Sequence, residues 1–293
     1  MPVKTIAKAG RPLGAHMSTS GAYTTAVEQT LAVKATAVQI FTKSQLRWQA
    51  PPLKDADASD FKAAVKEANL KFVCAHGSYL VNLASPNNET RDKSLASLAH
   101  ELERAEALGC ACLVIHPGSS KDEGTDTGIH KIADGLRQAL KATNGCAVKI
   151  ALENTAGQGA TIGVSVEEIR RLMDGVDFDP RLRMCLDSCH AFAAGYDLRN
   201  QEGVKKLVDE IESLIGLDRL MMLHLNDSMK DCGSRIDRHQ HIGEGFIGID
   251  GFKNLFADKR LNAVPGIIET PKDEKTFLVD DSRNLLALCA AGA

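Results

Sequence analysis

Six apolar stretches of this chain each end on a group that can bind a metal ion. FVCAH ends on His76, LVIH on His116, KIALE on Glu153, RMCLD on Asp187, MMLH on His224 and GIIE on Glu269. Imidazole and carboxylate without paired thiolates suit zinc, with manganese or iron as substitutes. A single histidine at the end of an apolar run is usually a hydrogen-bonded structural residue. Six such groups in one space are different, because carboxylates buried together are costly unless a cation offsets them. They are too many for one tetrahedral zinc and fit two ions that share a bridging carboxylate. The stretch RIDRHQHIGEG adds Asp237 and His239, with His241 at the same alternation. Two residues apart in extended chain, Asp237 and His239 point the same way. His190 lies three residues beyond Asp187 in CLDSCH, on a turn that would meet them. That makes nine ligands for three ions.

Such a convergence needs strands that end side by side. Eight apolar, often β-branched runs are predicted strands: 13–18, 37–43, 71–79, 112–118, 148–155, 182–190, 220–227 and 266–271. Runs this apolar fit strands buried on both faces of a parallel sheet. Between them, amphipathic stretches such as 60–70, 94–109 and 202–216 read as helices, and Gly109 stands where a C-terminal cap glycine belongs. The alternation predicts an α/β fold of the (β/α)8 TIM barrel class, in one domain over 1–293. A doubly wound open sheet competes, but no GxGxxG follows the first strand. Barrel active sites form at the C-terminal ends of the strands, where the six tips would meet. His16 closes the first strand at the same mouth and reads as a phosphate contact or a neighbour of a ligand. His100 and His130, in helical stretches, read as surface residues.

The chain has 293 residues, 44% hydrophobic and 25% charged, which is the composition of a globular protein with a sizeable core. No apolar run approaches the length of a membrane span. Residues 1–12 read as a basic tail; a short transit peptide is the alternative, since no acid precedes Glu28. The eight cysteines form no CxxC pair and sit largely in apolar runs. They are expected to be reduced, mostly buried thiols of an intracellular protein, whether cytoplasmic, nuclear or mitochondrial. A net charge of −3 does not by itself advertise a nucleic-acid binder.

The motifs AHGSYLVNLA, IHPGS, ALENTAGQG, CLDSCHAFAAGYD, LHLNDS, DRHQHIGEG and IIETP together resemble the endonuclease IV family of zinc-dependent abasic-site DNA endonucleases, over roughly residues 12–285. The resemblance implies a first zinc on His76 and His116, with Glu153 bridging to a second. Asp187, His224 and Glu269 would complete the second, and His190, Asp237 and His239 would hold the third. Glu153, Glu269 and Asp187 are the carboxylates it assigns to catalysis. The family pattern needs only D-x-H, so His241 is not expected to be a ligand. The implied reaction is hydrolysis of the phosphodiester 5′ to an abasic site by zinc-bound hydroxide, leaving a 3′-hydroxyl and a 5′-deoxyribose phosphate. No organic cofactor is implied, and a monomer is expected. Three zincs would change the formal charge to −3 + 6 = +3, concentrated where phosphate docks.

Lys43, Arg47, Lys230, Arg235 and Arg238 fall in loops after the second and seventh strands and are expected to contact phosphates without reading bases. In SYLVN, Tyr79 and Leu80 are expected to probe the helix where the damaged nucleotide leaves the stack. FTKSQLRW departs from the family pattern: Leu46 stands where members carry an arginine that enters the DNA, and Arg47 is displaced from that place by one residue. Gly77 is a second departure, because an aspartate can follow the ligand histidine. A metal-dependent sugar isomerase or epimerase of the same barrel type would not need His190, Asp237 and His239. A non-catalytic lesion-binding protein would not need all nine ligands.

Overall fold

A computed structural model describes residues 10–292. Eight parallel strands close into a barrel in chain order: β1 (Leu13–His16), β2 (Ala37–Phe41), β3 (Phe72–His76), β4 (Cys112–Ile115), β5 (Lys149–Glu153), β6 (Leu182–Asp187), β7 (Leu220–His224) and β8 (Gly266–Ile268). Pairing of Leu13 with Gly266 closes the ring. Every residue of β3 and of β4 is buried, as strands covered on both faces require. Closure also needs Gly14, where a Cβ would lie 1.7 Å from the Ala37 carbonyl oxygen.

Helices cover the outside: α1 (Tyr23–Ala32), α2 (Asp55–Glu67), α3 (Asn88–Ala107), α4 (Thr125–Ala142), α5 (Val166–Asp174), α6 (Ser188–Ala194), α7 (Gln201–Leu214), α8 (Gly248–Ala257) and α9 (Phe277–Ala291). Helices α2 and α3 begin earlier than their apolar periodicity suggests, because their first turns are polar, and in α3 a side chain caps the start. In α3 the cap is Asn87, whose side chain accepts from the Thr90 N–H at 2.8 Å. Gly109 follows α3 at φ +73°, the left-handed conformation expected of it.

Side chains alternate along each strand, and this places the site. Cys74, Ala151, Cys185, Met222 and Ile267 form an apolar cluster inside the barrel. Two residues further along the same strands stand His76, Glu153, Asp187, His224 and Glu269. They form the next layer, at the C-terminal mouth. Two short antiparallel ribbons shape the rim above it, Gly118–Ser119 with Thr161–Ile162 and Asp227–Ser228 with His239–Gln240.

Residues 1–9 of the expected basic tail lie outside the described residues. Arg11 does not belong to a solvated tail: it is buried, with its guanidinium 4.2 Å over the Phe256 ring. All eight cysteines are free, and Cys146 and Cys232 are the two that are partly exposed. Among the described residues no helix is long and apolar enough to cross a membrane.

Candidate metal centre

The strand tips converge as the alternation requires. Glu153, fully buried at the end of β5, turns one carboxylate oxygen to each side. Its Oε2 lies 3.3 Å from His76 Nε2 and 3.2 Å from His116 Nε2, and its Oε1 lies 3.0 Å from His224 Nδ1. His224 Nδ1 is also 3.1 Å from Glu269 Oε2 and 3.9 Å from Asp187 Oδ2. These residues form two groups whose ligand atoms lie within 4.8 Å of one another: His76, His116 and Glu153, then Glu153, Asp187, His224 and Glu269.

A third group stands beside them. His190 Nε2 lies 3.2 Å from Asp237 Oδ1, and His239 Nε2 lies 3.5 Å from the same oxygen and 3.7 Å from Asp187 Oδ2. Asp187 explains the placement of His190. Its side chain caps α6 by accepting the His190 N–H at 2.7 Å, so the strand tip that enters the site also sets the first turn of the helix carrying the next ligand.

Two observations test whether metal ions fit here. Zinc–ligand bonds of about 2.0–2.1 Å in tetrahedral geometry set neighbouring ligand atoms about 3.3 Å apart, close to most of the separations above. The histidine tautomers supply the second. Backbone carbonyls can only accept, so His76 Nδ1 donates to Gly77 O at 2.8 Å, His190 Nδ1 to Asn154 O at 2.9 Å and His239 Nδ1 to Glu269 O at 3.1 Å. In the neutral ring this fixes the tautomer and turns an unprotonated Nε2 inward, the arrangement of a metal-ligating imidazole. Among the described residues, His190 Nε2 and His239 Nε2 are buried without a hydrogen-bond partner, despite the nearby carboxylate. Atoms this close, yet not aligned for a hydrogen bond, fit a cation between them. The residues fit the metal.

Gln39 on β2 orients the fourth imidazole. Its amide nitrogen donates to Glu269 Oε1 at 2.6 Å, which leaves its oxygen to accept from His224 Nε2 at 2.9 Å. His224 therefore presents Nδ1. The same amide nitrogen lies 3.0 Å from His16 Nδ1, so His16 stands behind Glu269 as a neighbour of a ligand. Asn226 donates to Asp187 Oδ2 at 2.7 Å and accepts from the Glu269 N–H at 2.7 Å. Gln39 and Asn226 are the residues that sequence reasoning missed, although each is a lone amide in an apolar run, Gln39 in the middle of β2 and Asn226 just beyond β7.

Charge balance in the cluster is tight. Burial opposes ionisation of Glu153, but the surrounding histidines, His224 foremost, more than offset it and hold the carboxyl well below the usual range. Burial likewise opposes the charge on His190, yet Asp187, Asp237 and Glu153 raise it well above its ordinary value. Cys189 also comes within 4.8 Å of the Asp237 and His239 ligand atoms. Its thiol donates to the Arg238 carbonyl at 3.6 Å, and burial pushes it up to about 12.

The rim loops hold both expected and corrected residues. Leu46 is 71% and Tyr79 60% exposed; Arg47 and Arg238 are exposed and Leu80 is half-buried. The Tyr79 ring stands 5.6 Å from that of His76. Lys43 corrects the expectation of a phosphate contact: its side chain is fully enclosed and pairs with Glu101 Oε1 at 3.0 Å. Gly77 has a local cause, since a Cβ there would lie 2.9 Å from Ile115 Cγ2. His241 faces away from the cluster in its contacts, with Nδ1 3.0 Å from Asn284 Nδ2.

A closed parallel barrel with histidines and carboxylates at its C-terminal mouth defines a class, the xylose isomerase-like TIM barrels, and the family model of that description matches residues 27–288. A protein of Chloroflexus aurantiacus named "Probable endonuclease 4" is 42% identical over 275 residues, spanning 94% of this chain and 96% of that one. Endonuclease IV from Thermus thermophilus matches with a TM-score of 0.84 at 36% identity, over 94% of this chain and 98% of that one. The chain belongs to the endonuclease IV family and is a nuclease, a hydrolase. D-psicose 3-epimerase from Clostridium cellulolyticum shares the fold alone, with a TM-score of 0.68 at 16% identity over 94% of this chain and 96% of that one.

Proposed function

We propose that this nuclease hydrolyses the phosphodiester 5′ to an abasic site in duplex DNA, with three zinc ions, leaving a 3′-hydroxyl and a 5′-deoxyribose phosphate. The observation that carries the reading is the division of Glu153, one oxygen toward His76 and His116 and the other toward His224. His76 and His116 would hold the first ion, Asp187, His224 and Glu269 the second, and His190, Asp237 and His239 the third. When bound, the ions supply a nucleophilic water at neutral pH and positive charge to offset that of the phosphodiester.

The protein's own residues do the rest. Gln39 and Asn226 keep Glu269 and Asp187 aimed inward while burial excludes bulk water from Glu153. Tyr79, Leu80, Leu46 and Arg47 face the side on which a nucleotide would leave the stack, where an apolar or aromatic side chain fills the gap. Arg238 joins them as a contact to the DNA backbone. Leu46 acts as an apolar wedge in place of the arginine of other members. The third group distinguishes this reading from sugar epimerisation on the same fold.

Duplex DNA with one synthetic abasic site tests it. The metal-loaded protein should nick the strand on the 5′ side and leave undamaged duplex intact, and elemental analysis should find close to three zincs per chain. A single ion per chain, or no nicking with zinc, manganese or iron supplied, would overturn it.

A further inference from the structure

The rim has a buried anchor outside the metal groups. Lys43, just beyond β2, and Glu101, in the middle of α3, form an ion pair at 3.0 Å with side chains 0% and 2% exposed. Each partner also holds the backbone of a rim loop. The Lys43 ammonium donates to the Arg47 carbonyl at 2.7 Å, closing the turn that lifts Leu46 and Arg47. Glu101 Oε2 accepts the Ser78 N–H at 3.0 Å, directly before Tyr79, and its Oε1 accepts from Ser97 Oγ at 3.0 Å. The two loops are joined a second time, because Ser78 Oγ donates to the Gln45 carbonyl at 2.7 Å. One turn further along α3, Arg104 fixes both ends of the first loop by donating to Thr42 O at 2.8 Å and Pro51 O at 2.9 Å.

Stability alone is a poor reason for such a pair. Desolvating two charges costs about as much as their attraction returns, and well-packed apolar residues often serve as well. The specific feature is where the remaining hydrogen bonds go: those to backbone run to the loops that carry Leu46, Arg47 and Tyr79. We propose that the enclosed Lys43–Glu101 pair is a positioning device that sets the two loops at one fixed relative height, so that they engage damaged duplex as a unit. Lys43 acts on DNA through the loop it holds. The inference rests on the abasic-site reading of the preceding subsection.

The sole tryptophan, Trp48, lies in the first loop and lines a cavity with Ser97 and His100 of α3, which makes it a reporter of loop position. Lys43→Met, Glu101→Gln and the double variant would be compared with wild type, all metal-loaded, by kinetics on abasic duplex and by acrylamide quenching of Trp48. Each single variant should raise KM about tenfold with kcat changed less than about threefold, quench more readily and keep its full metal content. The double variant removes both charges and keeps an acceptor for the Ser78 N–H, so it should regain thermal stability. It still lacks the bond to Arg47 O, so KM and quenching should stay raised. Return of both to wild-type values in the double variant would overturn the proposal, as would unchanged values in all three or loss of metal from any. If wild type fails to nick abasic duplex, the parent reading fails instead, while the Trp48 quenching still tests the anchor.

Discussion

Six of the nine candidate ligands stand at the tips of barrel strands, whereas Leu46, Arg47, Tyr79 and Asp237 ride on loops outside the barrel register. The floor inherits its geometry from the sheet: His76, Glu153, Asp187, His224 and Glu269 are each two residues past a buried apolar neighbour in the barrel interior. The rim is built from single carboxylates that gather backbone N–H groups. Glu101 does this for the loop after β3 and, through its pairing with Lys43, for the loop after β2. Asp227 does it after β7, where it accepts from the N–H groups of Gly243, Gly245 and Ile247 at 2.9–3.1 Å, with Gly248 at 3.2 Å. Gly245 is required there, because a Cβ would lie 2.5 Å from Asp227 Oδ1. Register places chemistry, and buried carboxylates place contact.

The contrast can be broken most severely from the floor. Glu153→Gln removes the shared charge while keeping the shape, and incision should fall more than about a thousandfold. Elemental analysis should show less than the full metal complement with a barrel that still melts cooperatively; retained activity would remove Glu153 from its bridging role. Asp227→Ala attacks the rim. It leaves the buried Ile247 N–H unpaired at about 1–3 kcal/mol and frees the more exposed glycine N–H groups at smaller cost, so the melting temperature should drop by several degrees. Incision should fall about ten- to a hundredfold, the range for groups that support ligands, with one metal lost. Loss of all the metal would show that floor and rim are not separately held.

The smallest effect is one of pH. In the metal-free protein, against the opposing effect of burial, the carboxylates lift His76 above 6.5 and His190 well above it, and Cys185 with Glu269 and Glu153 lifts His224 well above it. A raised value in the fold means stabilisation that is complete below about pH 6.5 and lost as pH rises through the elevated values. Metal-loaded protein has no such loss, since bound imidazoles are already neutral. The melting-temperature gap between loaded and stripped protein should therefore widen above pH 6.5, by a few degrees in calorimetry. A gap that narrows would mean that protonated imidazoles do not hold the floor together.

The same division decided what the sequence could reveal. Strand tips were legible because alternation and a closing polar residue are local signals, and His190, Asp237 and His239 were legible from their spacing. Lys43 was not: only its partner shows that it is enclosed, and Glu101 lies 58 residues further along the chain. Charge type and loop position suggested a phosphate contact, whereas the fold uses the ammonium internally. Gln39 and Asn226 were passed over because an amide in an apolar run carries no sign of what it orients. Helix starts were misjudged where a polar first turn precedes the apolar periodicity, as in α2 and α3, with a capping side chain only in α3.

The gathering of the segment after β7 around Asp227 has a consequence for the strength of binding. Residues 225–247 carry two candidate ligands and the exposed Arg238, yet they are fastened by bonds internal to the protein. A segment that arrives already folded incurs little ordering entropy on association. More of the contact energy made by Arg238 and the two candidate ligands is therefore kept as affinity, since no folding step accompanies binding.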